Sequence, residues 1–146
     1  MSTPFNYKHL YYFWVVAKEG GAWARMFPLF KMGVGGKLGS GRQYWSWISL
    51  RDEVCALQFL LEQEHLSGPV NLTGPDPQTN AEITHVMGQV LGRPTILPAP
   101  AFALKAVLGE FSTEVLGSAR VVPAVLERSG FGFQDPTIES AIRSIL

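Results

Sequence analysis

Apolar residues recur at helical spacing between residues 83 and 91. They occupy positions i, i+3, i+4, i+7 and i+8, namely Ile83, Val86, Met87, Val90 and Leu91. This spacing places them along one side of a helix and predicts that this side packs against a core. Thr79 and Glu82 form the T-x-x-E capping box that begins such a helix, and Gly92 is the residue type that ends it.

The same spacing predicts a C-terminal helix after Asp135-Pro136, with proline at its first position. Its apolar residues are Ile138, Ala141, Ile142, Ile145 and Leu146. A further helix is predicted from Arg51-Asp52 to about Gln63, where Asp52 is expected to accept hydrogen bonds from the free backbone N–H groups of the first turn. Shorter helices are predicted at Pro100–Leu108, Thr113–Leu116 and Val122–Arg128.

The N-terminal region is almost continuously apolar. Phe5–Glu19 predicts a helix with almost no polar side, ended by Gly20-Gly21, and Ala22–Met32 predicts a second helix with a kink at Pro28. The glycine-rich segment Gly33–Gly41 is expected to be irregular.

Short runs of β-branched and aromatic residues predict the strands. They are Trp45–Leu50, Val70–Thr73 and Thr95–Leu97, and turn residues or helices separate them. The pattern therefore predicts a helix-rich α/β protein with three or four short strands.

Composition and length favour a soluble globular domain. Of the 146 residues 47% are hydrophobic and 16% charged, which excludes a disordered chain. The longest apolar stretches, residues 9–17 and 96–108, are shorter than the roughly 20 residues that a membrane span needs. The single cysteine, Cys55, suggests a reducing compartment and is expected to be a buried hydrophobe, so we expect a cytoplasmic protein that does not contact a membrane.

The net charge of zero conceals two halves of opposite sign. Residues 1–51 carry seven Lys or Arg and one Glu, whereas residues 52–146 carry five bases and eleven acids. Such a distribution indicates either a segment that faces an anion or two solvated faces that attract each other. Nucleic-acid binding is not expected, because phosphate contacts need several exposed cations and the N-terminal helix offers two, Lys8 and Lys18.

The glycine-rich segment does not fit the phosphate-binding motifs. In G-x-G-x-x-G the sixth position from Gly33 is Leu38, and from Gly39 it is Tyr44. A Walker A motif needs Ser or Thr after its lysine, but Lys37 precedes Leu38. Glycine backbone beside Lys37 and Arg42 is still compatible with contact to an anion.

Catalytic and metal-binding patterns are also missing from the sequence. None of the four tyrosines is followed four positions later by a lysine, so no Tyr-x-x-x-Lys pair can transfer a proton. The three histidines are isolated from one another and from Cys55, so no metal site is predicted. No catalytic residue is assigned.

From about Gly20 to Leu146 the sequence resembles the C-terminal half of extended short-chain dehydrogenase/reductases, in the group of nucleoside-diphosphate-sugar epimerase-like proteins that end in a domain of unknown function. The most specific stretch is Gly-Ser-Gly-Arg-Gln-Tyr-Trp-Ser-Trp-Ile at residues 39–48, supported by residues 68–73 and 130–133. The resemblance implies a helix-rich α/β fragment, the substrate-side lobe of that fold without its Rossmann half. It implies NADP for the intact family, no cofactor for this chain, and no catalysis by this chain alone.

Residues 1–20 resemble a different family, because the Phe5–Gly20 segment is similar to the first helix of a LysR-type transcription regulator. The expected domains are therefore a foreign helix at 1–20, the substrate-side region at 21–94 and a C-terminal helical extension at 95–146. A chain assembled in this way is expected to be a chimera or a gene remnant. A further interpretation is a DNA-associated remnant of a LysR-like protein.

The resemblance also suggests a binding site for a small anionic substrate. Its candidate residues are Arg42, Gln43, Trp45 and Trp47, which combine hydrogen-bonding groups with aromatic surface, although tryptophans of this kind also occur in cores. Ser49 stands where related proteins usually have histidine. Two further expectations follow: a lobe that works with a Rossmann half supplied in trans, and self-association through exposed apolar surface.

Overall fold

The computed structural model describes residues 14–16, 21–99 and 111–146. These residues form six helices and four short strands. The helices are α1 Gly21–Lys31, α2 Leu50–Glu62, α3 Asn80–Leu91, α4 Phe111–Leu116, α5 Ala124–Arg128 and α6 Ile138–Arg143. The strands are β1 Trp14–Val16, β2 Tyr44–Trp45, β3 Trp47–Ser49 and β4 Gln78–Thr79.

The strands form two small sheets. β1 and β3 pair in parallel, with Val16 opposite Ser49, and β2 and β4 pair antiparallel, with Tyr44 opposite Thr79. The predicted strand Trp45–Leu50 is therefore divided at Ser46. The hydroxyl of Ser46 donates to the carbonyl of Ala119 at 2.6 Å, so this residue bonds to the segment after α4 instead of to a strand.

The predicted N-terminal helix is wrong where the structure describes it. Residues 14–16 form strand β1, whereas the rest of the predicted Phe5–Glu19 helix lies outside the described residues. A continuous apolar run fits a buried strand as well as a buried helix, and periodicity cannot distinguish them. Pairing with β3 decides in favour of the strand.

Several predicted helices are confirmed. Helix α1 contains Pro28, and α4 and α5 lie within or close to the predicted short segments. Helix α3 begins with the Thr79–Glu82 capping box and is followed by Gly92, whose φ of 61° is left-handed. The predicted helix at 100–108 lies outside the described residues.

Other local predictions need correction. Helix α6 begins at Ile138 with Thr137 as its N-cap, so Pro136 precedes the helix instead of opening it. Residues 70–73 and 95–97, which are predicted as strands, form no strand. The first of these segments instead attaches to β3, because the Gly74 N–H and the Thr73 hydroxyl both donate to the carbonyl of Trp47. Hydrogen bonds to one carbonyl do not form the repeated backbone pairing that defines a strand in a sheet.

Two clusters of buried side chains form the core. The larger joins β1, α1, α3, α4 and α6, and its members are Val16, Trp23, Phe27, Phe30, Trp45, Trp47, Ile83, Met87, Val115, Ile138, Ala141 and Ile142. The smaller lies between β3, α2 and α5, and its members are Ile48, Ala56, Leu60, Val70, Leu72 and Leu126. The C-terminal helices therefore contribute buried side chains to both clusters: α4 and α6 to the larger and α5 to the smaller.

Candidate functional site

Backbone N–H groups of the glycine-rich segment 33–41 donate hydrogen bonds to acceptors within the protein. The Leu38 N–H donates to Asn80 Oδ1 at 2.7 Å, the Gly39 N–H to the carbonyl of Ala99 at 2.9 Å, and the Gly41 N–H to the carbonyl of Leu38 at 3.1 Å. A phosphate cradle needs such groups free and aimed at the ligand. These three N–H groups are already bonded, which agrees with the mismatch to the phosphate-binding motifs.

Close packing explains one glycine in this segment. A β-carbon at Gly36 would lie 1.7 Å from the carbonyl oxygen of Leu97, far inside van der Waals contact. The segment therefore lies directly against the backbone that follows α3. Glycine is required here by the close approach of two backbones.

Arg42 and Gln43 are neighbours in sequence but differ in environment. Arg42 is exposed, and its backbone N–H donates to the Ser40 hydroxyl at 3.2 Å. Gln43 is buried, and its Nε2 donates to the carbonyls of Leu38 at 2.9 Å and Val115 at 3.5 Å. Arg42 is thus open to an anion, whereas Gln43 links the glycine-rich segment to α4.

Both tryptophans of the predicted site are in the core. Trp45 and Trp47 are 2% and 0% exposed. The indole N–H of Trp45 donates to the carbonyl of Val115 at 3.1 Å, and that of Trp47 donates to the carbonyl of Asp76 at 2.7 Å. Three of the four predicted site residues are therefore interior, with side-chain donors bonded to backbone carbonyls, and the structure does not bring the four together on a surface.

A small cavity lies beside Trp45. It accommodates the centre of a water molecule over only about 10 Å³, roughly enough for one water. Its lining is mostly apolar: Trp23, Met26, Phe30, Gly36, Leu38, Trp45, Asn80, Ile83, Thr84 and Met87. Among the described residues the buried Nε1 of Trp23 has no hydrogen-bond partner. A space of this size holds a solvent molecule and is far too small for a sugar or a nucleotide.

The junction between β3 and α2 carries a charged cluster that the sequence did not predict. The guanidinium of Arg51 binds the Asp135 carboxylate at 2.7 and 3.2 Å. The buried Asp52 carboxylate accepts hydrogen bonds from the backbone N–H groups of Gln134 at 2.7 Å and Asp135 at 2.9 Å. No spacing rule connects residues more than 80 positions apart, so the sequence carried no signal for this cluster.

This arrangement corrects the predicted role of Asp52. The helix N-cap is Ser49, whose hydroxyl accepts from the Asp52 N–H at 3.0 Å, while the Asp52 carboxylate turns away towards the segment before α6. Ser49 is fully buried. Ser49 is therefore a buried residue that begins this helix.

In the described part of the chain, the surroundings shift the pKa values of three ionisable groups. The hydrogen bond and charge of Asp135 raise the pKa of Arg51, so the guanidinium stays charged. Burial raises the pKa of Glu53. Hydrogen bonds from the backbone and hydroxyl of Thr79 lower the pKa of Glu82. All three groups lie in the first turn of a helix, Arg51 and Glu53 in α2 and Glu82 in α3, and none of them lines the cavity.

Residues 14–16, 21–99 and 111–146 contain no group of three His, Cys, Asp or Glu side chains that could hold a metal ion. They also contain no helix that combines the length and apolar character needed to cross a membrane. Cys55 is half-buried on α2 and is not in a disulfide.

Sequence comparison connects the chain with known proteins. Residues 99–145 match a family model described as a domain of unknown function, DUF1731. An epimerase family protein of Mycobacterium bovis is 54% identical over 129 residues, which cover 88% of this chain and 43% of the relative. The chain thus spans less than half the length of this relative.

Comparison with solved structures gives the same result. The crystal structure of the human epimerase family protein SDR39U1 with NADPH superposes with a TM-score of 0.86 and 32% identity, covering 91% of this chain and 45% of the human one. A nucleoside-diphosphate sugar epimerase from Corynebacterium glutamicum superposes with a TM-score of 0.70 and 26% identity, covering 94% of this chain and 25% of that one.

The fold and the sequence define this chain as part of an extended short-chain dehydrogenase/reductase. It belongs to the epimerase family of that class and corresponds to its C-terminal part. The resemblance seen in the sequence extends over Gly20–Leu146, which is 127 of 146 residues, or 87% of the chain. Because the human match covers 91%, the similarity starts before Gly20. Pairing of β1 with β3 agrees with that earlier start.

Proposed function

We propose that this chain is the substrate-side lobe of an NAD(P)-dependent epimerase-family protein and that, alone, it neither binds the dinucleotide nor catalyses a reaction. The observation that carries the proposal is the superposition on the human relative, which covers 91% of this chain and 45% of a protein crystallised with NADPH. The motif that holds a dinucleotide, G-x-G-x-x-G, and the pair that exchanges a proton with the substrate, Tyr-x-x-x-Lys, are absent from the 146 residues.

The packing of the candidate site supports a framework role. Gln43, Trp45 and Trp47 are buried and donate to backbone carbonyls, so they hold the glycine-rich segment, α4 and the loop before β4 in fixed positions. Lys37 and Arg42 are exposed on or beside that segment. In this proposal these two cations are the groups that contact a small anionic substrate, while the buried residues support them.

Dinucleotide binding by the chain alone tests the proposal. Thermal unfolding is followed as NADPH is added, with the intact M. bovis relative measured in parallel as the positive control. A ligand that binds only the folded state raises the unfolding midpoint as its concentration passes the Kd. We expect no saturable shift for this chain. A saturable rise in its midpoint would contradict the proposal.

A further inference from the structure

Three buried side chains with unused hydrogen-bonding groups surround the cavity beside Trp45. Trp23 on α1 and Asn80 on α3 are each 1% exposed, and Thr84, one turn further along α3, is 4% exposed. The indole N–H of Trp23, the Nδ2 group of Asn80 and the hydroxyl of Thr84 form no hydrogen bond within the part of the chain that the structure describes. Because a buried polar group without a partner is costly, three such groups around one space need a shared partner.

Other polar groups at the cavity already have partners, which defines what these three groups offer. Asn80 Oδ1 accepts the Leu38 N–H at 2.7 Å, and this bond fixes the orientation of the Asn80 amide, so its Nδ2 is a donor. The indole N–H of Trp45 donates to the carbonyl of Val115 at 3.1 Å. Two N–H donors and one hydroxyl therefore remain.

We infer that the cavity holds one ordered water molecule, bound by Trp23, Asn80 and Thr84. The water accepts the indole N–H of Trp23 and one Nδ2 hydrogen of Asn80, and it donates to Thr84 Oγ1. A buried water typically makes about three hydrogen bonds, and the cavity accommodates the centre of a water molecule over about 10 Å³. This inference does not depend on the proposed function.

The chemistry of the lining argues against an ion as the occupant. Trp23 and Asn80 both present N–H groups, whereas a bound cation needs oxygen ligands. The described residues that line the cavity include no charged side chain, and a buried anion without a charged partner is far more costly than a neutral molecule. A neutral molecule of the size of water satisfies both conditions.

The bound water links α1 and α3 to the glycine-rich segment. Trp23 belongs to α1 and Thr84 to α3, while Asn80 holds the segment through the Leu38 N–H. A water on Asn80 Nδ2 keeps the amide in the orientation that presents Oδ1 to this N–H. The water therefore acts as a positioning element for the segment that carries the exposed Lys37.

A crystal structure of the chain is the direct test. We expect an electron-density peak for one water within about 3.2 Å of Trp23 Nε1, Asn80 Nδ2 and Thr84 Oγ1. An empty cavity, or a water that contacts fewer than two of these groups, would overturn the inference.

Nuclear magnetic resonance tests the same site in solution. The indole N–H of Trp23, whose signal is identified by its loss in Trp23→Phe, should show dipolar transfer from a bound water. Rotating-frame spectra separate this transfer from chemical exchange by its opposite sign. Trp47 is the control in the same protein, because its indole N–H already donates to the carbonyl of Asp76 at 2.7 Å. A bound-water signal of equal size at both indoles, or none at Trp23, would contradict the inference.

Thr84→Val should change stability in opposite directions for an occupied and an empty cavity. The substitution keeps the shape of the side chain and replaces the hydroxyl with a methyl group. With water bound, the variant removes its acceptor, so we expect the unfolding midpoint to fall by at least about 2 °C. In a dry cavity it removes an unpaired hydroxyl, so an unchanged or higher midpoint would refute the inference. Thr113→Val, the same change at an exposed position of α4, should stay within about 1 °C.

Hydrogen exchange in Thr84→Val tests the link to the glycine-rich segment. Without its acceptor the water holds Asn80 less firmly, so we expect the Leu38 amide to exchange at least about ten-fold faster than in the wild type. The Arg93 amide, which donates to the Gly88 carbonyl at 2.9 Å at the other end of α3, should keep its rate. An unchanged Leu38 rate, or an equal increase at both amides, would overturn the positioning role.

Discussion

The Asp52 carboxylate holds the backbone of Asp135. It accepts the Asp135 N–H at 2.9 Å and the neighbouring Gln134 N–H at 2.7 Å, and both carboxylates are almost fully buried. The Asp135 side chain in turn binds Arg51 through two hydrogen bonds. The start of α2 is thereby attached to the segment that leads into α6, which joins the substrate-side region to the C-terminal helices.

Removing the Asp52 charge should loosen that attachment. In Asp52→Asn one backbone N–H faces an amide nitrogen instead of an acceptor, so we expect the free energy of unfolding to fall by about 2 kcal/mol. Urea unfolding measures the change. The control is Glu62→Gln on the exposed end of the same helix, which we expect to stay within about 0.5 kcal/mol of the wild type. An equal, small effect of both substitutions would refute a structural role for the Asp52 carboxylate.

Substitutions at the neighbouring residues Arg42 and Gln43 should differ in their effect on stability, because Gln43 is buried and Arg42 is exposed. Gln43→Ala removes the Nε2 hydrogen bonds to the carbonyls of Leu38 and Val115 and creates a void beside them, so we expect a loss of about 1–3 kcal/mol although the Gly41 and Trp45 N–H groups still donate to these carbonyls. Arg42→Ala alters an exposed side chain and should change stability by less than about 0.5 kcal/mol. Both are measured by thermal unfolding. A Gln43→Ala protein as stable as the wild type would favour a ligand-binding role for Gln43.

A methyl group at Gly36 should be poorly tolerated. The added carbon of Gly36→Ala meets the Leu97 carbonyl oxygen, so the two backbones must separate, and we expect a loss of about 2–3 kcal/mol. Gly132→Ala is the matched control, since a β-carbon there meets nothing within 4 Å and its φ is not left-handed. Its unfolding midpoint should stay within a few degrees of the wild type. A similar loss for both variants would mean that the close approach at Gly36 does not exist.

The capping box of α3 should make stability depend on pH. The pKa of Glu82 lies below its ordinary value of 4.5 in the folded protein, so its contribution is present above that value and is lost as the pH falls through the lower folded value. Glu82 is exposed and solvent screens its charge, so we expect Glu82→Gln to cost less than about 1 kcal/mol at pH 7.

Chemical unfolding at pH 7 and pH 3 checks this prediction. The difference between the wild type and Glu82→Gln should be largest at pH 7 and should shrink below about pH 4.5. Glu64→Gln, an exposed change outside the helices, serves as the control and should show no such trend. A difference that is constant over this range would exclude an ionised Glu82 in the cap.

Elements with local signals were predictable. Helix α3 has an apolar stripe, a capping box and a left-handed glycine, all within 14 residues, and each signal depends only on near neighbours. The start of α2 shows the limit of such signals. Ser49 and Asp52 are both residue types that begin helices, and the choice between them depended on Gln134 and Asp135, far along the chain.

The candidate site shows the same division. Sequence similarity correctly selected the segment around residues 39–48 as belonging to the epimerase family, but residue types alone do not state exposure. Trp45 and Trp47 have the chemistry of a binding pocket as well as that of a core. The carbonyls of Val115 and Asp76, which accept their N–H groups, decide that they are buried.

The sequence by itself determined the family, the helices that carry their own start and end signals, and the absence of dinucleotide-binding and proton-transfer motifs within these 146 residues. Only the tertiary structure decided that residues 14–16 are a strand, that Asp52 holds Asp135, and that Trp45 and Trp47 are buried. The physical reason is range: caps and periodicity act over a few residues, whereas strand pairing, burial and buried charge pairing depend on groups that only folding brings together.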